Sequence, residues 1–564
     1  MRLRTPLATA AAVCLAAVVP ATLLSAAPAG AVPIDVVSAA VVPPNGDNLA
    51  PTPPMGFNNW ARYECNVSEA VMVRNADALV TTGLAAKGYD TVTVDDCWMK
   101  MSRDANGNLV ADPVKFPHGM KWLGDYLHAK GLKFGIYEDA GTYTCGGYPG
   151  SLGHFQADAN LFASWGVDYL KLDGCNVPVP AGQTKEQVYR DLYNQQSVAL
   201  GNTGRPIVFS ESAPAYFCCE SNSSWYSVLS WLPQYGQLWR EGWDIAVHST
   251  SGSRWGSLLT NYKYNVLLSR YAGPNHWNDP DFLITGDTGV TVDEYKTQMA
   301  LWSMMSAPLI LSVDVAAIDA TAVAVAGDTG LIAIDQDSLG KQAGIISQNG
   351  TADILAKPLA NGDRAVALFN RGTTSTTIAT TTTAIGFTGG TGCSYTLKNL
   401  WTDTTSSTTG SVSASVPAHG TAVFRVTPST GCGAQRPVGQ LTGTSGKCVD
   451  NSGSSTTDGN PIILWPCTGN PNQRFTVPGD GTLRVQGKCL DVTGGAVTSG
   501  TKIELWTCNG SGAQQWQYRA DGTLLNPQSG KCLDITGGGS ADGTRLEIWT
   551  CGSNQLNQLF AMPV

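Results

Sequence analysis

Tyr169-Leu170-Lys171-Leu172-Asp173-Gly174-Cys175 decides the fold. A short, largely apolar run stops abruptly at a carboxylate and a glycine, the signature of a buried strand that ends on an acid at a turn. The same ending recurs along the chain. Thr91-Val92-Thr93-Val94 stops at Asp95-Asp96-Cys97-Trp98, Phe134-Gly135-Ile136-Tyr137 at Glu138-Asp139, and Ile207-Val208-Phe209 at Ser210-Glu211-Ser212. Met55-Gly56-Phe57 leads to Asn58-Asn59-Trp60, and Asp244-Ile245-Ala246-Val247 reads as a sixth strand with its acid at the start. His276-Trp277-Asn278-Asp279-Pro280-Asp281 and Leu309-Ile310-Leu311-Ser312-Val313-Asp314 complete eight. Helical stretches separate them, and such βα alternation over residues 52–337 predicts a (β/α)8 TIM barrel.

The C-terminal face of such a barrel carries its active site. Any one strand-end Asp could simply cap the next helix, but six around one rim point to a site. A rim of Asp, Trp, Tyr and Lys suits a polyhydroxylated ligand, because carboxylates take pairs of hydroxyls and indoles cover apolar ring faces. Two carboxyl groups can hydrolyse a glycosidic bond without a metal, so no cofactor is expected.

Composition narrows the choices. The chain has 564 residues, 44 acids against 35 bases, and a net charge of −9. That balance argues against nucleic-acid partners, which demand basic patches. Arg2 and Arg4 precede an apolar run from Leu7 to Ala27 that ends at Ala29-Gly30-Ala31. This predicts a signal peptide over 1–31, a linker over 32–51 and a secreted protein, with an N-terminal membrane anchor as the alternative. No later segment reaches the roughly 18 apolar residues of a membrane span. Removing Cys14 leaves 14 of the 15 cysteines, an even number suited to disulfides. Clusters of the C-x-x-C or H-x-x-x-H type do not occur, which predicts no metal site.

Residues 441–564, beyond a linker at 429–440, contain an internal repeat. Gly446-Lys447-Cys448-Val449-Asp450, Gly487-Lys488-Cys489-Leu490-Asp491 and Gly530-Lys531-Cys532-Leu533-Asp534 open three copies of one unit. The copies close on Gln473-Arg474-Phe475, Gln514-Gln515-Trp516 and Gln558-Leu559-Phe560. Three copies are too few for a propeller. Cys448 and Cys467, Cys489 and Cys508, and Cys532 and Cys551 are each 19 residues apart. This region resembles the ricin-B-type β-trefoil lectins, carbohydrate-binding module family 13. That resemblance implies an internal disulfide in each copy, Cys448 with Cys467, Cys489 with Cys508 and Cys532 with Cys551, and three sugar sites. Asp450 with Trp465, Asp491 with Trp506, and Asp534 with Trp549 would grip the sugar, supported by Asn472-Gln473 and Asn557-Gln558. In the middle copy Ala513 stands where the supporting Asn belongs. The alternative is that these aspartates only cap turns. Between barrel and trefoil, 338–428 alternates apolar and polar residues, as in Arg364-Ala365-Val366-Ala367-Leu368-Phe369 and Thr421-Ala422-Val423-Phe424-Arg425-Val426. That period predicts half-buried strands of an antiparallel β-sandwich. Cys393 and Cys432 remain and could pair, and the adjacent Cys218 and Cys219 could bond to each other.

Residues 52–428 resemble glycoside hydrolase family 27, the α-galactosidases and α-N-acetylgalactosaminidases. The resemblance rests on Pro54-Met55-Gly56-Phe57-Asn58-Asn59-Trp60, Asp95-Asp96-Cys97-Trp98, Tyr169–Cys175 as quoted above, and Trp277-Asn278-Asp279-Pro280-Asp281. It implies a retaining exo-glycosidase releasing terminal α-galactosyl residues, with Asp173 as nucleophile and Asp244 as acid/base of raised pKa. It further implies that Lys171 helps to keep Asp173 ionised. Arg240 and Asp281 would hold the hydroxyl beside the reacting carbon, and Asp95 and Asp96 the 4- and 6-hydroxyls. Trp60 would lie on the sugar's apolar edge, and Tyr137 and Cys145 would line the wall. The resemblance pairs Cys65 with Cys97 and Cys145 with Cys175. One loop departs from the common α-galactosidase pattern. Aligned on Pro214 and Tyr216, Ser212 and Ala215 occupy the two positions that face the sugar's 2-substituent, which leaves room for an acetamido group. Glu211, one position away, could still close it. The expectation is α-galactosidase, with α-N-acetylgalactosaminidase or dual activity as the alternative and an inactive lectin as the remote one.

Overall fold

The computed structural model describes residues 43–564 except 47, 220, 221, 391, 444, 445, 520, 553 and 554. The expected signal peptide and most of the 32–51 linker lie outside the described residues.

Eight parallel strands form one sheet: β1 Met55–Asn58, β2 Thr91–Val94, β3 Lys133–Asp139, β4 Tyr169–Asp173, β5 Val208–Glu211, β6 Leu238–Arg240, β7 Trp277–Asp279 and β8 Leu309–Leu311. They lie in the order β7-β6-β5-β4-β3-β2-β1-β8. Leu283, just beyond β7, pairs in parallel with Leu311 and joins the two ends of the sheet. The sixth strand corrects the sequence reading: it is Leu238–Arg240, and 244–247 is a loop beyond it. β6 is short because it pairs only with Ser210–Glu211 on one side and Trp277–Asp279 on the other. Asp244 therefore follows its strand, as the other rim acids do.

Register decides which side chains face the lumen. Lys171 lies beside Tyr137 and Ser210, and Leu172 beside Glu138 and Glu211. Because strand side chains alternate, the Lys171 row points inward. The Leu172 row points to the helix layer, where Leu172 and Trp239 join the main apolar core.

The sandwich has a six-stranded antiparallel sheet and a two-stranded one, Thr376–Thr381 with Ser411–Val416. Its strand Arg364–Asn370 is buried at every position, where the alternating pattern predicted half-burial. Its two faces enter different cores. Val366 and Leu368 pack inside the sandwich, while Ala365, Ala367 and Phe369 belong to the barrel core. The face expected to meet water meets the barrel instead. At this seam the buried Lys357 ammonium donates to the Ser303 carbonyl at 3.1 Å, Ser306 Oγ at 2.7 Å and the Ile334 carbonyl at 2.6 Å.

The third region repeats one antiparallel ribbon: Cys448–Asn451 with Asn460–Trp465, Lys488–Val492 with Ile503–Trp506, and Lys531–Ile535 with Leu546–Trp549. Equivalent residues from the three copies, Val449, Leu490 and Leu533 with Phe475, Trp516 and Phe560, fill one shared core. No single copy could bury that face by itself.

The expected disulfides form. Cys448 pairs with Cys467, Cys489 with Cys508 and Cys532 with Cys551, one bridge in each copy of the repeat. In every copy the first cysteine is fully buried on its strand, whereas the second, Cys467, Cys508 or Cys551, is half-buried in the loop beyond the paired strand. Each bridge thus ties a surface loop, the one that follows the exposed tryptophan, to the core of its own copy. In the barrel Cys65 pairs with Cys97 and Cys145 with Cys175. Cys393 pairs with Cys432, and the adjacent Cys218 and Cys219 pair with each other.

Candidate active site

Asp173 ends β4 at the mouth of the barrel. One of its oxygens accepts the Tyr216 hydroxyl at 2.5 Å, and the other accepts Tyr137 at 3.2 Å. Asp139 of β3 lies directly beside it in register. Two neighbouring carboxylates repel, and burial together with the Asp173 charge holds Asp139 well above its ordinary value. Sequence reasoning quoted Tyr216 and Asp139 without assigning either to the site.

A second cluster stands on β2. Asp95 Oδ2 accepts both Asn58 Nδ2 at 2.6 Å and the Lys171 ammonium at 2.7 Å. Burial alone would lower the Lys171 pKa, but the charges of Asp95 and Asp173 outweigh it and hold the ammonium above its usual value. Asp96 accepts from the backbone N–H groups of Gly146 at 2.7 Å and Cys97 at 2.6 Å, and burial still pushes its carboxyl up. The Lys171 ammonium also lies 5.1 Å from the Tyr137 ring centroid and 5.3 Å from that of Phe282.

The third cluster centres on Arg240, the last residue of β6. Its guanidinium pairs with Asp281 at 3.0 Å and Asp244 at 2.8 Å. Asp281 has a positive φ of 77°, and its other oxygen accepts the Ile245 N–H at 2.7 Å, which pins the loop beyond β6. Burial pushes the Asp281 carboxyl up to about 7, even against the Arg240 charge. Asp244 differs from expectation. Burial would raise it, but Arg240 and then Lys171 outweigh that and hold it below its ordinary value. Its side chain is 64% exposed, whereas Asp281 is closed off behind it.

These clusters bring together Asp95, Asp96, Tyr137, Lys171, Asp173, Arg240, Asp244 and Asp281. Trp60 is half-buried on the same rim, following β1. Cys145 Sγ, bonded to Cys175, lies 3.6 Å from the Tyr216 hydroxyl. Asp139, Cys145 and Cys175 are spaced closely enough to hold an ion, but the disulfide occupies both sulfurs.

Glu211 is not brought into this group. It belongs to the outward row, with its carboxylate against Gly236, where an added Cβ would lie 2.4 Å from Glu211 Oε1. Both its oxygens are buried without a partner, and burial holds the carboxyl well above its usual range. A one-residue offset in a strand reverses the face, so proximity in sequence placed Glu211 on the wrong side. Ser212, just past the end of the strand, is buried with its hydroxyl unpartnered, and Ala215 is half-buried.

In the repeat region, Asp450 accepts Asn472 Nδ2 at 2.9 Å and Gln473 Nε2 at 2.7 Å. Asp534 accepts Asn557 at 2.8 Å and Gln558 at 2.7 Å. Among the described residues Asp491 accepts only Gln514, at 2.7 Å, because Ala513 has no side-chain amide to offer. Trp465, Trp506 and Trp549 are 40%, 39% and 45% exposed beside them. Asp450, Trp465 and Asn472 line an open cleft of about 340 Å³.

Comparison with known proteins follows the same three-part division. Residues 52–337 match the family described as alpha galactosidase A, 349–426 the alpha galactosidase C-terminal beta sandwich domain, and 437–560 the ricin-type beta-trefoil lectin domain. The chain is 44% identical over 439 residues to alpha-galactosidase A of Aspergillus niger, covering 78% of this chain and 79% of that protein. It is 38% identical over 385 residues to the alpha-galactosidase of Cyamopsis tetragonoloba, covering 68% and 88%. The structure of alpha-galactosidase I from Mortierella vinacea is similar at a TM-score of 0.60 and 31% identity, covering 68% of this chain and 98% of that one.

Proposed function

The chain belongs to the alpha galactosidase A family, and from that premise we propose how its barrel works. It is an α-galactosidase, a glycoside hydrolase acting on α-galactosides, and it carries a ricin-type carbohydrate-binding domain. In our reading Asp173 attacks the anomeric carbon of a terminal α-galactosyl residue while Asp244 protonates the departing oxygen. Asp244 then deprotonates a water that releases galactose with its configuration retained. Tyr137 and Tyr216 orient the nucleophile. Asp95 and Asp96, with Lys171 neutralising the former, take the 4- and 6-hydroxyls, and Trp60 lies along the sugar's apolar edge. Arg240 and Asp281 take the 2-hydroxyl. That contact draws the guanidinium away from Asp244, and the bound sugar covers its exposed side chain, so that loss of water and of the positive partner raises its pKa towards the range of a proton donor. The observation that carries this reading is the two-phenol clamp on Asp173 in a rim that also holds the Arg240–Asp244 pair.

One observation favours a second activity. With Glu211 turned outward, the two positions aligned with the 2-substituent carry the small side chains of Ser212 and Ala215, which leaves room for an acetamido group. Export to an oxidising compartment is supported by the seven disulfides of the described residues, since disulfides persist there. Turnover of p-nitrophenyl α-galactoside and p-nitrophenyl α-N-acetylgalactosaminide by the purified enzyme tests the assignment. We expect the galactoside to dominate with measurable turnover of the second substrate. Dominant turnover of the second would transfer the assignment to it, and hydrolysis of neither would remove both.

A further inference from the structure

Trp243 stands immediately before Asp244 and is 60% exposed, more than any of the three repeat-region tryptophans. Its indole makes no hydrogen bond and no ring contact among the described residues. Trp122, another exposed tryptophan of the barrel, is different. Its ring is sandwiched between His118, with centroids 4.7 Å apart, and Tyr126, at 5.3 Å, so both faces are already covered. Leaving an indole of this size in water forgoes a large apolar contact.

The backbone around Trp243 is fixed on both sides. The Trp225 indole N–H donates to the Glu241 carbonyl at 2.6 Å. Gly242 lies so close to Tyr264 that an added Cβ would come within 2.5 Å of its ring. After the pair, Ile245 N–H donates to Asp281 at 2.7 Å and Ala246 N–H to Ser257 Oγ at 2.8 Å. Trp243 and Asp244 are thus both exposed, side by side, on a loop pinned at both ends, an arrangement that pre-organises a contact surface.

From this geometry we propose that Trp243 is the platform for the leaving group of the substrate, stacking on the pyranose or aromatic ring attached through the scissile oxygen. The inference rests on the assignment of Asp244 as the acid/base. A general acid must reach the scissile oxygen, so the solvent side of Asp244 faces the leaving group, while the buried side, with Lys171, Asp173 and Arg240, faces the galactosyl ring. An indole face held there covers the C–H face of a sugar ring, as an indole–sugar stack requires. Trp243 is then a specificity-determining residue that selects α-galactosides carrying a ring aglycone.

The test compares Trp243→Ala and Trp243→Phe with the wild-type enzyme on raffinose, p-nitrophenyl α-galactoside and α-galactosyl fluoride. Fluoride leaves without a ring to stack on. We expect Trp243→Ala to lose about tenfold or more in kcat/KM on the two ring-bearing substrates, a contact-sized effect. Trp243→Phe should recover most of it, and the loss on the fluoride should be several-fold smaller. The pH profile should keep its wild-type shape, because Asp244 itself is untouched. Equal losses on all three substrates would make Trp243 a general support of the site, and a displaced pH profile would make it a support for Asp244; either would overturn the proposal, as would no loss on any. Wild-type enzyme inactive on the fluoride would instead remove the underlying hydrolase assignment.

Discussion

The barrel rim and the repeat region gather the same residue types, carboxylates and indoles, and organise them differently. Each repeat gathers its carboxylate, indole and amides from one stretch of about two dozen residues, such as Asp450 to Gln473. The rim draws its groups from Trp60 to Asp281, across seven strands. Amides alone hold Asp450 and Asp534, so each carboxylate is kept in place by neutral donors. The rim carboxylates are held by two cations, Lys171 and Arg240, in addition to phenols, Asn58 and backbone N–H groups, and their environments diverge: Asp139 and Asp281 are raised, Asp244 lowered. Binding needs only a fixed acceptor. Chemistry needs acids of unequal strength, and unequal environments supply them.

The sharpest way to break this comparison is Asp173→Ala. Turnover should fall on the order of 10⁴-fold or more, while retardation of the protein in galactomannan gels stays at the wild-type level. Activity close to wild type would refute the assignment of the nucleophile. Loss of both functions together would refute the independence of the two regions.

A smaller effect should distinguish the repeats from one another. Asp450→Ala removes a carboxylate held by two amide side chains, and Asp491→Ala one held by a single amide. A hydrogen bond to a charged group is worth about 1.5–3 kcal/mol, so a well-ordered acceptor is costly to lose. Gel retardation should drop more for Asp450→Ala than for Asp491→Ala. Equal drops would mean that Gln514 alone orders the middle site.

The smallest effect lies away from both sites, at the barrel–sandwich seam. Burial pushes Asp335 up to about 8 and Lys357 down to about 8. A carboxyl raised in the folded state contributes stability that is complete below about pH 4, its unfolded value, and is lost as pH climbs to about 8. Lys357 contributes the opposite slope, and only above about pH 8. The melting temperature should therefore decline between pH 5 and pH 8, and Asp335→Asn should flatten that decline. An unchanged slope in the variant would assign it to other buried acids, such as Glu138 or Glu241.

How much could be read from the sequence differs between the two regions for the same reason. The repeat region was the more legible, because its Asp, Trp and amide positions and its cysteine pairs, down to Cys489 with Cys508 and Cys532 with Cys551, recur at fixed spacing. The barrel was legible as a series of strand ends, and the motif residues pointed to Asp173, Asp244 and Asp95. The sixth strand was misplaced because Asp244–Val247 is apolar enough to pass for a strand, while the true one, Leu238–Arg240, has three residues and only one aliphatic side chain. Arg364–Asn370 was read as half-buried because alternation cannot say whether the second face meets water or another domain.

By itself the sequence determined the three-part architecture and the family and pointed to several of the groups around the pocket, since each is written in local pattern or spacing. Only the tertiary structure decided which face each group occupies and what it touches. It turned Glu211 outward, set Tyr216 on Asp173 and divided Arg240 between Asp244 and Asp281. Those outcomes depend on strand register and long-range pairing, and a one-residue change in register exchanges the lumen for the core.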